Sequence, residues 1–286
     1  MREDMKTSPP LLFLCFALLG IVSTSGEPKV DPDVVYGHKH GLALTMDVLT
    51  PDKPNGAGVV FIVSGGWGSH WYAPELAVKS RLPLLKAGYT VFSVRHSSSP
   101  KYLVPEIIED VRRSIRFIRL RAKRFGIDPE KIGVTSASSG GHLTLMLATT
   151  ADSGNPKAND EVLRASSRVN AAVAYFAPTD LREWVKPGSF YHQRYAALRF
   201  DQDKAAACSP ILHVDKQDAP TLLVHGSRDP RVPLKLSEQM YAELKKREVP
   251  AKLVVIEGAG HGFTGKDAKR ASSERVAWFD KHLLGE

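Results

Sequence analysis

Three residues far apart in the chain, Ser138, Asp229 and His261, have the types and the surroundings for nucleophilic acyl transfer. A serine hydroxyl is a weak nucleophile until a base takes its proton, and that base needs a third group to orient it. Ser138 has the small residues Ser136 and Gly140 two positions to either side, in the run Gly133-Val134-Thr135-Ser136-Ala137-Ser138-Ser139-Gly140-Gly141-His142. Small neighbours are needed where a chain turns so sharply from strand into helix that it nearly touches itself. A helix starting there aims its free N–H groups and positive dipole end at the serine, a setting for a developing oxyanion. By the same steric criterion Ser139, between Ala137 and Gly141, is also a candidate.

Asp229 lies in a turn after the apolar run 222–224, within His225-Gly226-Ser227-Arg228-Asp229-Pro230-Arg231-Val232-Pro233. His261 follows the run 253–256 and is bracketed by Gly260 and Gly262, which leave its loop free to swing the imidazole inward. Asp180, after the run 171–176, is an alternative acid; its other reading is capping or loop hydrogen bonding. His225, at a strand end, reads as buried and hydrogen-bonded, and His142 as a packing or supporting residue. Backbone donors for an oxyanion are expected from Ser139 and from Gly66 and Trp67, in Ser64-Gly65-Gly66-Trp67-Gly68. A phosphate-cradling loop is the rival reading of that stretch, and no Lys-Ser/Thr pair follows at the spacing it needs. His38, His40, His70 and Asp47 show no metal-ligand spacing, and the chemistry requires no metal and no cofactor.

The elements that must position these groups follow from apolar runs. Residues 59–63, 89–94, 131–135, 171–176, 221–224 and 253–256 read as buried strands. Helical patterns separate them at 75–86 (with Pro83 as a kink), 105–125 (stopped by Gly126), 143–148 and 234–246, and a last helix spans 272–284. A hairpin is expected before them: Val34-Val35-Tyr36, a turn over 37–41, then 42–49. The fold class is therefore α/β, a mostly parallel sheet covered on both faces, with active residues at the carboxyl ends of the strands. Two stretches break the rhythm. Residues 151–168 are polar and read as a surface loop. Residues 181–218 carry Trp184, Phe190, Tyr191, Tyr195 and Phe200 and read as a small excursion over the strand ends, a lid or substrate wall whose aromatics serve equally as local core.

The 286 residues suit one such domain over 26–286 once residues 1–25 are set aside. Those read as an export signal: Arg2 and Lys6, the apolar stretch 11–22, then Ser23-Thr24-Ser25. The rival reading is an uncleaved anchor. Loss of the signal removes Cys15 and leaves Cys208 as the sole cysteine, so the mature chain is expected to hold no internal disulfide, no cysteine metal site and no membrane span. The expected location is periplasmic or secreted; oligomeric state is not legible. The formal charge of +8 is concentrated on one helix, in Arg112, Arg113, Arg116, Arg119, Arg121, Lys123 and Arg124. The plain reading of that helix is a solvated face; the functional one is attraction to anionic polysaccharide. No nucleic-acid motif accompanies it, so nucleic acid is not an expected partner.

The chain resembles the α/β-hydrolases of the esterase/lipase type over about residues 33–284. It is similar to acetylxylan and feruloyl esterases and to prolyl-oligopeptidase catalytic domains. Three motifs carry the resemblance. Ser138-Ser139-Gly140-Gly141-His142 matches the Ser-x-Gly-Gly-His run and favours Ser138 over Ser139. His225, Gly226, Asp229, Val232 and Pro233 match the pattern around the acid, and Gly260 to Phe263 match Gly-His-Gly-Phe. Ser136 stands where the family has glycine, and Ser64 where its His-Gly-Gly oxyanion motif has histidine. The resemblance implies a serine hydrolase of carboxylic esters, with Ser138 as nucleophile, His261 as base, Asp229 as orienting acid and Gly66, Trp67 and Ser139 around the oxyanion. A small-molecule or carbohydrate ester with a short acyl group is the expected substrate; a prolyl-oligopeptidase-like peptidase and a non-catalytic binding protein are the alternatives.

Overall fold

The computed structural model describes residues 26–286, and the expected export signal lies outside them. A single eight-stranded sheet has the order β1-β2-β4-β3-β5-β6-β7-β8. Its strands are β1 (Lys29–Lys39), β2 (Leu42–Thr50), β3 (Gly58–Val63), β4 (Thr90–Arg95), β5 (Ile132–Ala137), β6 (Ala171–Tyr175), β7 (Thr221–Gly226) and β8 (Ala251–Ile256). β2 is antiparallel to both neighbours, and the strands from β4 to β8 are parallel. This is the α/β-hydrolase fold. From β3 the chain steps outward to β4, then returns to the other side of β3 with β5. The loops after β3 and β5 therefore diverge at a topological switch point, where a crevice opens beyond the strand ends.

The near-continuous apolar strands are buried on both faces. On one face β3, β4 and β5 pack against α2 (Val104–Leu120) and α4 (Ser139–Thr149), with Val60, Ile62, Phe92 and Val134 meeting Ile107, Ile115 and Met146. α6 (Leu234–Lys246) extends this layer through Met240 and Leu244. On the other face α1 (Pro74–Lys86) and α7 (Gly265–Phe279) cover Val59, Val91, Val173 and Val224. The long helix expected over 105–125 breaks at Arg121 into α2 and the short α3 (Ala122–Phe125), which Gly126 ends with φ 66°. The last helix begins earlier than its apolar residues predict.

Two sequence expectations are corrected. The hairpin turn is only His40-Gly41, with φ 47° and 80°, the left-handed pair that tight hairpins require. Gly37 lies inside β1; a Cβ there would overlap the Arg113 side chain. The basic side of α2 is also not a solvated face. Its arginines hold the loop 151–168 against the helix. Arg116 grips both carboxylate oxygens of Asp152 at 2.6 and 2.5 Å and also donates to the Ala165 carbonyl. Arg113 pairs with Asp160 at 2.5 Å, Arg121 pairs with Glu161, and Arg119 donates to the Ser166 carbonyl at 2.7 Å. A polar loop with almost no core of its own gains its order from such donors, because carbonyls turned from water need partners.

Candidate active site

β5 ends at Ala137, and Ser138 turns the chain into α4 with φ 57° and ψ −124°. A non-glycine residue in such a region costs on the order of 1–3 kcal/mol, so surrounding contacts must impose it. Ser138 N–H donates to the Tyr175 carbonyl at 2.9 Å, and the Ser138 carbonyl accepts from His142 N–H at 2.9 Å. A Cβ on Gly140 would overlap Ser136 Oγ, and one on Gly141 would stand 2.8 Å from the Tyr175 carbonyl. The hydroxyl of Ser136 donates to the Ile62 carbonyl at 2.6 Å, tying the elbow strand to β3.

His261, in the loop after β8, has Nε2 3.0 Å from Ser138 Oγ and Nδ1 2.7 Å from Asp229 Oδ2. This arrangement puts the ring proton on Nδ1, toward the carboxylate, and leaves Nε2 to accept from the serine. Asp229 sits in the turn after β7 with its side chain wholly buried. Its other oxygen accepts from the N–H groups of Arg231 and Val232 at 2.8 and 3.0 Å. Behind it His225 lies between Ser237 Oγ at 2.7 Å and the Val232 carbonyl at 2.8 Å, and burial lowers its pKa. Phe176 lies 4.6 Å, ring centre to ring centre, from His261. The structure thus brings Ser138, Asp229 and His261 together in that order. Asp180 is elsewhere engaged: it caps Arg182 N–H at 3.1 Å and pairs with the Arg182 guanidinium at 2.7 Å.

The loop after β3 faces the elbow. Gly65 and Gly68 exchange backbone bonds of 2.9 and 3.0 Å, which leaves Gly66 and Trp67 at the tip of the turn with φ 57° and 60°. The N–H groups of Gly66, Trp67 and Ser139 have no backbone acceptor among the described residues. Ser64, which stands for the family's histidine, has its Oγ 3.1 Å from Ser139 Oγ and so links this loop to the start of α4. The Trp67 indole is fully buried, and its N–H donates to His142 Nδ1 at 3.3 Å. His142 Nε2–H then donates to the Cys208 carbonyl at 2.8 Å. Burial pushes the His142 pKa down to about 4, so the ring is held neutral in the one tautomer that can serve both partners. His142 is therefore a strut between the loop after β3 and the segment that carries Cys208. The buried Cys208 contributes its carbonyl, while burial pushes its thiol up to about 12.

The stretch 181–218 forms one wall of a narrow cleft over Ser138. Trp184 stacks on Tyr191 at 3.6 Å, and Trp67 meets the edges of both Trp184 and Tyr195. Phe190 points outward, 71% exposed. The cations of this stretch do not line the cleft: Arg182 is paired with Asp180, Lys186 with Glu183, and Arg199 is spent on the His192 and Gln193 carbonyls. Arg231 is the cleft's cation, from the turn that carries the acid. Sequence reasoning quoted Arg231 without a role, and its position two residues past Asp229 was the available signal. Among the described residues no cluster of three or more His, Cys, Asp or Glu could hold a metal ion, and no helix is long and apolar enough to cross a membrane.

Comparison with known proteins agrees with this architecture. The family model described as BD-FAE matches residues 46–244, more than half of the chain. The chain belongs to the BD-FAE family. Esterase LipQ of Mycobacterium tuberculosis is 30% identical to this BD-FAE member over 225 residues, 74% of this chain and 52% of that protein. The probable carboxylic ester hydrolase LipM of the same organism is 24% identical, covering 86% of this chain and 59% of the relative. The chain thus spans little more than half the length of these relatives. Among solved structures, a truncated form of a carbohydrate esterase from gut microbiota superposes with a TM-score of 0.76 at 24% identity, over 91% of this chain and 98% of that one. That likeness is one of fold.

Proposed function

We propose that this BD-FAE member is an exported carboxylic ester hydrolase that works through a serine acyl-enzyme. The observation that carries the reading is the relay of 3.0 and 2.7 Å from Ser138 through His261 to Asp229, on an elbow facing N–H groups without backbone partners. In this mechanism Ser138 Oγ attacks the ester carbonyl while His261 Nε2 takes its proton. Asp229 holds the imidazole and stabilises its charged form. The N–H groups of Trp67, Gly66 and Ser139 receive the negative oxygen. His261 then passes the proton to the departing alcohol, and water repeats the sequence to free the acid. The names of LipQ and LipM support ester hydrolysis as the reaction class.

The substrate we propose is a short-acyl ester of a carbohydrate or other polar alcohol. The cleft supports this: it is narrow, aromatic on one side, and carries a single exposed cation at its mouth. Aromatic faces suit sugar rings, and a small volume suits a small acyl group. The test is fluorophosphonate labelling of the purified chain, followed by kcat/KM across acyl lengths on polar alcohols beside a proline-containing peptide. Labelling at Ser138 and a maximum at about two to four carbons is the expected result. A kcat/KM that keeps rising beyond about eight carbons, or faster cleavage of the peptide, rejects the substrate reading. Absence of labelling rejects the mechanism.

A further inference from the structure

The buried arginines of this molecule fall into two kinds. Arg95 and Arg116 are matched by Asp47 and Asp152 at 2.6 and 2.5 Å. Arg81 and Arg275, only 6% and 7% exposed, have no carboxylate partner among the described residues. The Arg81 guanidinium lies over the Phe61 ring, 3.3 Å from its centre, and donates to the Tyr72 and Ser80 hydroxyls. Arg275 lies over the Tyr175 ring at 5.9 Å and has one long hydrogen bond, Nη2 to Ser272 Oγ at 3.4 Å, while its Nε has no partner. A guanidinium removed from water without a counter-charge is costly, and two that repel each other are more so. Burial, with a contribution from Arg275, pulls the Arg81 pKa down to about 10.

Arg275 borders a recess of about 370 Å³ between α1 and α7, on the sheet face away from α2 and α4. Phe61, Tyr175, Phe176 and Phe263 form its walls, and Lys79, an exposed lysine, stands at its edge. No carboxylate lines it. We propose that this recess binds a carboxylate with an aromatic or branched apolar body, the carboxylate pairing with Arg275 and Lys79 and the body lying on the phenyl rings. A planar guanidinium fork matches a carboxylate, and apolar walls admit the rest of the molecule while offering nothing to a heavily hydrated anion such as phosphate. The recess shares no lining residue with the catalytic cleft. The two are separated by Phe176, which contacts His261 on the cleft side. The proposal concerns binding and does not depend on the catalytic reading.

The test is isothermal titration of the purified chain with 3-phenylpropanoate and, as an uncharged match in shape, 3-phenylpropanamide. The expected result is saturable one-to-one binding of the acid, about tenfold or more tighter than the amide. Arg275→Gln should weaken the acid by a similar factor, and Ala268→Phe, which fills the recess without touching a charge, should abolish binding. Arg231→Gln in the catalytic cleft should leave the affinity unchanged. If Arg275→Gln fails to fold, Ala268→Phe and the acid-to-amide ratio decide the matter alone. Absence of saturation, equal affinity for acid and amide, or a loss in Arg231→Gln with none in Ala268→Phe overturns the proposal.

Discussion

His142 should make the protein acid-sensitive in a way that one substitution removes. In the folded chain its Nδ1 must accept from Trp67 while Nε2–H donates to Cys208, so the ring cannot take a second proton without losing the Trp67 bond. Its pKa falls from 6.5 to about 4 because the ring is buried. The folded state therefore binds fewer protons than the unfolded one between those values. The neutral ring's contribution is fully present above pH 6.5 and is lost as pH falls toward 4. Across the whole window the loss is about 3 kcal/mol, of which about 2 kcal/mol is gone by pH 5. His142→Gln keeps an acceptor for Trp67 and a donor for Cys208 but does not titrate. Urea unfolding at pH 8 and pH 5 should show a drop in stability about 2 kcal/mol smaller in the variant than in the parent; all other titrating groups cancel in the difference. Equal drops in the two proteins would refute the strut argument. Ester hydrolysis should follow the same order, with the parent losing the loop after β3, the proposed oxyanion site, at a higher pH than the variant.

Other expectations test the elbow and the loop. Ser138→Ala should lower ester hydrolysis by on the order of 10⁴, while Ser139→Ala, whose expected contribution is its backbone N–H, should retain substantial activity. Swapped phenotypes would show that the register is wrong. Gly140→Ala places a Cβ into Ser136 Oγ and should lower stability by about 2 kcal/mol. Adding Ser136→Gly removes that overlap and should recover most of the loss, a non-additivity readable in the thermal midpoints of the two single variants and the double. Arg116→Gln leaves Asp152 without its partner and should expose residues 151–168 to limited proteolysis well below the unfolding temperature, with activity on a small ester unchanged. Cleavage no faster than in the parent would show that the backbone of the loop holds itself.

What the sequence revealed and what it hid divide along physical lines. Buried parallel strands leave continuous apolar runs, so all six expected in the parallel region appear within a residue or two at most ends. The elbow was legible because sterics demand small residues at fixed offsets. The turn after β1 was misplaced because Gly37 resembles turn chemistry, whereas its absent side chain makes room for Arg113. The arginines of α2 looked solvated because their partners, Asp152, Asp160 and Glu161, lie 36 to 47 positions away and carry no periodic signal. The start of α7 was missed because residues 265–270 form a polar first turn and more. The stacked pair Trp184 and Tyr191 could not be told from local core: stacking depends on how an irregular segment folds back on itself.

The elbow has a consequence for how activity is gained. Ser138 and His261 are 123 positions apart, and His261 and Asp229 are 32 apart. The strained backbone at Ser138 is held by contacts from β6, and its neighbours by contacts from β3. No local segment can hold that conformation, so the proposed nucleophile does not exist as such until five separate strand ends have met. Secondary structure can return early in refolding, since helices and nearby strand pairs close short loops, but the long-range closure comes later. Turnover is thus a late reporter. A refolding chain should recover its circular dichroism before it recovers catalysis, and fragments that retain native helices should remain inert.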